Sequence, residues 1–243
     1  MFQNNEGQQA PNCHFELCDG DEIKIRNFID LFQHRTVIIF GLPGAFTPTC
    51  SQDHLPRYNE LAETFQKYGV DEICCVSVND AFVMQAWQKQ MHAEKITFLP
   101  DGEAKFTKAL GMATHFSDLG LSTRSRRYSM LIKNGLIEKM FVERDDPSDP
   151  LEVSDADTML HYLAPSHQTQ RAITLFTKPD CPFCAKAKNL LTQHKMAYEE
   201  ISIGKDATLI SLQAITGRTT VPQIFIGGKH IGGSEDLIEY LNQ

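Results

Sequence analysis

Three cysteines of this 243-residue chain stand where an apolar run gives way to a helical pattern. Cys50 follows the run 36–42, which predicts a buried strand, and precedes apolar residues at helical spacing over 55–68. Cys181 and Cys184 likewise follow an apolar run and open a second helical pattern. A cysteine in the first turn of a helix meets unpaired N–H groups and the positive end of the helix dipole, and both favour the thiolate. The sequence therefore predicts two thiol-dependent sites.

The residues around Cys50 indicate how its sulfur would be activated. Thr47 is expected to donate its hydroxyl to the sulfur or to a bound oxyanion, and Pro43 and Pro48 are expected to stiffen the turn and shield the sulfur. Because a helix terminus contributes only about 0.3–1 kcal/mol to a nearby charge, a second positive group is needed. The candidates are Arg124, Arg126 and Arg127. The alternative is a structural thiol, since free cysteine is among the residue types most often buried.

The string from Pro43 to Ser51 (PGAFTPTCS) resembles the active-site signature of the peroxiredoxins, and of their type II (Prx5-like) subgroup in particular. The resemblance continues through 54–56, 76–80, 98–102 and 127–130 and covers roughly the first two thirds of the chain. It is specific because both the motif residues and their spacing match.

The peroxiredoxin resemblance implies that Cys50 reduces a peroxide and becomes a sulfenic acid, while Thr47 and an arginine orient the two peroxide oxygens. Arg127 carries over as that arginine because it directly precedes a predicted strand. Arg124 and Arg126 are then expected to be surface charges.

The C-x-x-C pair, Cys181 and Cys184, is typical of a redox motif when it follows a strand and opens a helix. It could also form half of a zinc site. This part of the chain has no second cysteine pair, and His194 and His230 do not have finger-like spacing from the first.

The sequence after residue 171 resembles a dithiol glutaredoxin, through 177–184 (TKPDCPFC), 219–222 (TTVP) and 232–237 (GGSEDL). The resemblance implies that Cys181 is the nucleophile and Cys184 the second thiol. It also implies a glutathione site made by Lys178 for a carboxylate, by Thr220 and Val221 beside a cis Pro222 for the peptide backbone, and by Gly233, Ser234 and Asp236 for the γ-glutamyl end. The alternative is that Lys178 and Asp236 are only solvated charges.

The four remaining cysteines are expected to be structural or incidental. Cys13 and Cys18 lie in a polar opening segment that predicts a hairpin, and no matching pair supports a metal half-site there. Cys74 and Cys75 are adjacent in a strand-like run, so they should face opposite sides of a sheet as small core residues.

Strands alternate with helices along the chain, and Asn134-Gly135 is a strong hairpin signal between two strands. This order predicts a mixed sheet covered by helices, in which Ser154 caps a late helix. The pattern restarts after a polar stretch, so the predicted organisation is a first domain over 1–165, a linker over 166–171 and a second domain over 172–243. The expected fold class is α/β, with two thioredoxin-like domains as the resemblances imply, each a mixed central sheet flanked by helices.

Composition excludes several function classes. The net charge of −8, with −9 on residues 1–170 and +1 on 171–243, argues against nucleic acid or an anionic membrane as the main partner. The N-terminus lacks the basic and apolar regions of a signal peptide, and no apolar run reaches 18 residues. Seven cysteines without a secretion signal favour a reducing compartment, so a cytoplasmic protein is expected.

No cysteine lies between Cys75 and Cys181, so a C-terminal resolving thiol is missing from the first domain. Glutathione is the expected resolving thiol: it would attack the sulfenic acid of Cys50, and the glutaredoxin half would remove the glutathionyl group. The whole chain resembles the peroxiredoxin–glutaredoxin hybrids of bacteria. Fusion raises the local concentration of the reductase to the order of mM for a short linker.

The resulting expectation is a glutathione-dependent peroxidase of hydrogen peroxide and organic hydroperoxides, active in antioxidant defence. Its expected partners are peroxides, glutathione and, indirectly, glutathione reductase with NADPH. It is expected to be a homo-oligomer without a bound metal or organic cofactor. Two alternatives stay open at this point: a peroxide sensor that relays oxidation to a client protein, and a glutathione–disulfide oxidoreductase with a structural N-terminal domain.

Overall fold

The computed structural model describes residues 4–20, 22–116, 120–144, 146, 150–167, 172–194 and 196–241. The chain divides into two compact units, 1–167 and 168–243. Their boundary falls within the predicted linker over 166–171. Residues 168–171 of that linker lie outside the described residues, so the linker stays a prediction.

The first unit is built around a five-stranded sheet. The strands of the whole unit are β1 (Phe15–Asp19), β2 (Glu22–Arg26), β3 (Thr36–Gly41), β4 (Glu72–Ser77), β5 (Thr97–Pro100), β6 (Ala113–His115), β7 (Thr123–Ser125), β8 (Tyr128–Lys133) and β9 (Leu136–Val142). Strands β1 and β2 pair with each other, as do β6 and β7, and the other five form the central sheet. Its helices are α1 (Phe28–Phe32), α2 (Leu55–Lys67), α3 (Ala81–Gln90), α4 (Lys105–Ala109) and α5 (Ala156–Leu163), with a π-helical turn over Cys50–His54 before α2. The sheet order is β5-β4-β3-β8-β9, parallel from β5 to β3 and antiparallel from β3 to β9.

Strand β3 lies at the centre of this sheet and is buried on both faces, which explains its nearly continuous apolar sequence. Ile38 and Phe40 pack on one side against α2, α3 and α5, whereas Val37 and Ile39 pack on the other side against α1 and α4. Helices α2 and α5 are also joined by an ion pair in which Arg57 Nη2 lies 2.7 Å from a carboxylate oxygen of Asp157. The loop after β3 therefore starts from a fixed point in the core.

The predicted cap of helix α5 is wrong. The helix begins one residue later than Ser154 would require, and the carboxylate of Asp155 accepts the N–H groups of Asp157 and Thr158. Ser154 is buried, and its hydroxyl donates to Glu143 Oε1 over 2.8 Å. The Ser154 hydroxyl is thus bonded to a buried carboxylate and does not cap the helix.

The second unit has a four-stranded mixed sheet. Its strands are β10 (Ile173–Thr177), β11 (Glu199–Ser202), β12 (Gln223–Ile226) and β13 (Lys229–Gly232), and its helices are α6 (Pro182–Gln193), α7 (Leu209–Thr216) and α8 (Ser234–Leu241). The order is β11-β10-β12-β13, in which only β10 and β11 run parallel. The core contains Ile173, Leu175, Ala187, Leu191, Ile224, Ile226 and Leu237.

The predicted fold class is confirmed: both units are α/β, with a mixed central sheet flanked by helices. Within the described residues, no helix combines the length and the apolar character that crossing a membrane would require.

Candidate functional site

Cys50 opens the π-helical turn that joins the loop after β3 to helix α2. Such turns are rare and concentrate at functional sites. The side chain of Cys50 has no solvent-exposed surface. Its loop is fixed by the Ser51 N–H, which donates to Thr47 O over 3.0 Å, and by Trp87 Nε1, which donates to Ser51 Oγ over 3.1 Å. Pro43 is buried in this loop, whereas Pro48 is exposed.

Arg127 reaches Cys50 from the neighbouring strand. It directly precedes β8, whose first residue, Tyr128, pairs with Gly41 at the end of β3. The antiparallel pairing therefore places Arg127 beside the loop that carries Cys50. Arg127 Nη2 lies 3.4 Å from Cys50 Sγ, and the guanidinium is buried, with 3% of the residue exposed. This is the contact expected of the arginine that the resemblance assigned.

The Thr47 hydroxyl has a different partner from the sulfur that we expected. Thr47 Oγ1 donates to Gly44 O over 2.9 Å, within its own turn. With its proton used in this way, the hydroxyl oxygen keeps lone pairs that can accept a hydrogen bond. Asn79 holds the start of the same loop, since its Oδ1 accepts the N–H of Ala45 over 3.1 Å.

The expectation that Arg124 is a surface charge is wrong. Arg124 is half-buried, and its guanidinium donates to Val78 O over 2.8 Å and to Leu121 O over 3.0 Å. It thus ties the end of β4 to the segment before β7. Arg126 is also half-buried.

Two buried residues next to Arg127 were not assigned any chemistry from the sequence. His54 Nδ1 lies 3.1 Å from Arg127 Nη1, and His54 Nε2 lies 3.2 Å from Ser154 O. Burial, together with the charge of Arg127, holds the pKa of His54 well below its usual value of 6.5. Glu143 follows β9, and its N–H donates to Arg127 O over 3.0 Å. Two sequence signals pointed to His54: it stands four residues after Cys50, which is one helical turn, and it falls within the stretch 54–56 that shares the peroxiredoxin resemblance.

The other cysteines of the first unit lie in the core or in the opening hairpin. Cys74 and Cys75 are fully buried on opposite faces of β4, as expected, and Cys75 shares the face of the sheet that packs around Cys50. Burial raises the pKa of both thiols well above the usual value. Cys18 lies in β1, and both it and Cys13 are half-buried. Burial also raises the pKa of Cys13.

In the second unit, Cys181 is the N-cap of helix α6, and its sulfur accepts the N–H of Cys184 over 3.2 Å. The two cysteines are joined by a disulfide. Cys181 keeps 8% of its surface exposed and Cys184 only 2%, so Cys181 is the outer member of the pair. The predicted position of this thiol at a helix N-terminus is confirmed.

Some of the residues assigned to glutathione lie close to Cys181. The Val221–Pro222 bond is cis, as the resemblance implies, and Val221 O lies 3.8 Å from Cys181 Sγ. An open cleft of about 580 Å³ is lined by Lys178, Cys181 and residues of α6 and β11. Lys178 itself is exposed.

Asp236 binds back to the glycine-rich turn that precedes α8. The carboxylate of Asp236 accepts the N–H of Gly233 over 2.6 Å and lies 3.8 Å from Arg218 Nη1. Ser234, the first residue of α8, is buried. The loop that holds Thr220 is fixed by a side-chain amide, since Gln223 Nε2 donates to Thr220 O over 2.9 Å.

No group of three or more His, Cys, Asp or Glu side chains in the described part of the chain is arranged to hold a metal ion. The C-x-x-C pair therefore has no metal partners among those residues, and its two cysteines are joined to each other.

Comparison with known proteins places both units in families. A Redoxin family model matches residues 5–160 and a Glutaredoxin model matches residues 173–231. The hybrid peroxiredoxin hyPrx5 of Haemophilus influenzae is 59% identical over 235 residues, which are 97% of this chain and 98% of the relative. A peroxiredoxin of Synechocystis, sll1621, is 56% identical over 137 residues, covering 55% of this chain and 72% of the relative.

The first unit also matches a solved structure, that of reduced Prx3 from Vibrio vulnificus, described as a complex with hydrogen peroxide. The match has a TM-score of 0.62 and 42% identity, and it covers 66% of this chain and 99% of that one. This chain belongs to the peroxiredoxins, a family of thiol peroxidases, and within them to the hybrids that carry a glutaredoxin domain in the same polypeptide.

Proposed function

We propose that this protein is a glutathione-dependent peroxidase that reduces hydrogen peroxide and organic hydroperoxides at Cys50 and is recycled by its own glutaredoxin domain through Cys181. The observation that carries the peroxide step is the buried Arg127 guanidinium, with Nη2 3.4 Å from Cys50 Sγ. The glutaredoxin domain in the same chain supports glutathione as the reductant.

In the first step the Cys50 thiolate attacks one oxygen of the hydroperoxide. The sulfur–oxygen bond forms as the oxygen–oxygen bond breaks, the sulfur is oxidised to a sulfenic acid, and the leaving oxygen departs as water or an alcohol after taking a proton. Arg127 would stabilise the negative charge that moves from the sulfur to the leaving oxygen. Thr47 Oγ1, whose proton is directed to Gly44 O, would accept the hydrogen bond of the peroxide O–H. Buried Pro43 would keep the turn rigid.

The second half of the cycle returns Cys50 to the thiolate. Glutathione attacks the sulfenic sulfur, which gives a mixed disulfide and water. The Cys181 thiolate then takes the glutathionyl group and releases the Cys50 thiolate. A second glutathione attacks that group and leaves as glutathione disulfide, which restores Cys181. Attack of Cys184 on glutathionylated Cys181 would instead break the bond to glutathione, release it as a thiol and form the Cys181–Cys184 disulfide, a side branch that two glutathione molecules reduce.

Glutathione would be held by charges and backbone groups around Cys181. A tripeptide with two carboxylates and an ammonium needs cations, N–H groups and one acid. The proposed ligands are Lys178 for a carboxylate, Thr220 and Val221 beside Pro222 for the peptide backbone, and Gly233, Ser234 and Asp236 for the γ-glutamyl end. Asp236 now accepts the Gly233 N–H, so the glutathione ammonium would have to share this carboxylate with that N–H.

We propose that the protein acts in the cytoplasm, where glutathione is reduced, and that it is a homo-oligomer without nucleic-acid or membrane partners. Glutathione reductase and NADPH would act on it only through the glutathione pool.

The proposal is tested by NADPH consumption in the presence of glutathione and glutathione reductase, with hydrogen peroxide and two organic hydroperoxides in turn. We expect many turnovers per protein molecule and no activity when glutathione is omitted. A thioredoxin system at matched NADPH is the control reductant. A peroxide sensor would instead react once and stop, and a disulfide oxidoreductase with a structural first domain would show no peroxide consumption above background.

A further inference from the structure

His54 is completely buried between two groups whose hydrogen-bonding roles are fixed. Its Nδ1 lies 3.1 Å from Arg127 Nη1, and its Nε2 lies 3.2 Å from Ser154 O. A guanidinium only donates and a carbonyl only accepts. The imidazole must therefore accept at Nδ1 and donate at Nε2, which defines the neutral ring with its proton on Nε2.

The acceptor that selects this tautomer is itself held in place. The carbonyl of Ser154 also accepts the Tyr58 hydroxyl over 3.0 Å. The segment leading to that carbonyl is fixed by one oxygen of Glu143, Oε1, which accepts the N–H groups of Glu152, Val153 and Ser154 and the Ser154 hydroxyl at 2.8–2.9 Å. A buried carboxylate with several donors is rigid, because each lost bond would leave a buried polar group unpaired.

The same carboxylate residue also fixes the main chain of the arginine, since the Glu143 N–H donates to Arg127 O over 3.0 Å. Glu143 thus holds both the backbone of Arg127 and the segment whose carbonyl binds His54, the partner of Arg127 Nη1. Because the guanidinium is planar, a hydrogen bond to one of its two terminal nitrogens restricts the plane of the whole group.

We propose that His54 is a positioning residue for peroxide reduction: by accepting a hydrogen bond from Arg127 Nη1, it fixes the guanidinium plane so that Nη2 points at Cys50 Sγ. The inference rests on the proposed peroxidase reaction and adds a residue to it. His54 makes no contact with the reacting sulfur in this role. The low pKa of His54 agrees with it, because the protonated ring would have no lone pair to accept the bond.

Three substitutions at His54 separate this role from simple packing. His54→Asn keeps an acceptor near the place of Nδ1, His54→Gln keeps a polar group near the place of Nε2, and His54→Phe keeps only the ring volume. The full-length protein is reacted once with hydrogen peroxide, and oxidised Cys50 is quantified by rapid quenching and mass spectrometry. Alkylation of Cys50 by iodoacetamide is measured in parallel, because it needs the thiolate but no oriented peroxide.

We expect His54→Phe and His54→Gln to slow oxidation by about tenfold to a hundredfold, the range typical of a misaligned catalytic group, and to slow alkylation less. His54→Asn should recover to within about threefold of the wild type. In an Arg127→Lys background, His54→Phe should add almost nothing, because the two residues act through one interaction.

Equal oxidation rates for His54→Asn and His54→Phe would overturn the proposal, as would full additivity with Arg127→Lys. If His54→Phe does not fold, the comparison of His54→Asn with His54→Gln decides the matter alone. Failure of the wild-type protein to oxidise at Cys50 would instead refute the proposed function, so the two failures are distinguishable.

Discussion

Cys50 and Cys181 hold equivalent places in their units, after a strand and at the start of a helix, yet their surroundings differ. Cys50 has no exposed surface and faces a buried guanidinium whose position is set by buried side chains. Cys181 keeps 8% of its surface exposed, accepts a backbone N–H from Cys184, and has the exposed Lys178 nearby.

The difference follows the size of the substrate that each thiol would meet. A peroxide carries only two oxygens to recognise, so discrimination has to come from side chains fixed around the sulfur. A glutathionyl group brings its own carboxylates, ammonium and peptide bonds, which backbone amides and exposed charges can bind. The same structural position, the N-terminus of a helix, is therefore used in two ways: it lies inside a rigid side-chain network in the first unit and forms an exposed binding surface in the second.

The largest expected effect separates the two sites completely. Cys50→Ser should lower peroxide reduction at least about a thousandfold, because the nucleophile proposed for the peroxide step is lost. Reduction of hydroxyethyl disulfide by glutathione should continue, since it uses Cys181. Both activities are measured by NADPH consumption on the same preparation. Parallel loss of the two in a folded mutant would contradict separate sites.

The two cysteines of the second unit should differ nearly as much. Cys181→Ser should lose almost all glutathione-supported peroxidase activity, whereas Cys184→Ser should stay within about threefold of the wild type, because the monothiol route needs only Cys181. Matched glutathione concentrations and mass spectrometry for a glutathionyl group on Cys181 provide the readout. A Cys184→Ser protein as inactive as Cys181→Ser would show that the dithiol route is the working one.

A third comparison tests the buried guanidinium. Arg127→Lys should slow Cys50 oxidation by about a hundredfold, because an ammonium cannot contact His54 and the sulfur with one planar group. Arg124→Lys is the matched control. It should cost about 1 kcal/mol of stability through its lost carbonyl contacts, with little change in the oxidation rate. Equal rates for the two variants would mean that the wrong arginine has been assigned.

The smallest expected effect is on stability and its dependence on pH. Unfolded His54 gains a proton as the pH falls below 6.5, whereas the buried ring, whose pKa is held well below that value, does not. Protonation therefore favours the unfolded state. As the pH decreases, this group should lower the free energy of unfolding by up to about 1.4 kcal/mol per pH unit. His54→Asn should remove that part of the slope.

Hydrogen exchange of amides in β3 and in β12 between about pH 5 and 7, corrected for intrinsic rates, reports this slope separately for each unit. The second unit provides the control. His230 also has a lowered pKa, through burial and Arg218, but it is only half-buried, so its contribution should be smaller. A slope that His54→Asn leaves unchanged would show that His54 is not the group responsible.

Sequence patterns located most elements and missed some of the short ones. Strands β8 and β9 lie on either side of Asn134-Gly135, as predicted, because this pair forms a two-residue turn between them. Helix α1 and strands β6, β7 and β13 were not predicted, because each has only three to five residues and little periodicity of its own.

The contacts of the candidate site were likewise only partly predictable from the sequence. The contact of Arg127 with Cys50 could be anticipated because a motif and the start of a strand marked both residues. The contacts of His54 could not, because its partners lie 73 and 100 residues away and are brought to it by the sheet and by the loop before α5. The partner of Thr47 was misjudged because a carbonyl three residues earlier competes with the sulfur for its proton.

Trp87 is the only tryptophan in the sequence, and its indole N–H donates to Ser51 Oγ, on the residue next to Cys50. Indole emission responds to changes in hydrogen bonding and polarity around the ring. Events at Cys50 should therefore alter the intrinsic fluorescence of the protein, while exchange at Cys181 has no tryptophan in its own unit to report it. The chain thus carries an unlabelled optical probe for the proposed steps at Cys50, and stopped-flow fluorescence can time them apart from the proposed exchange at Cys181.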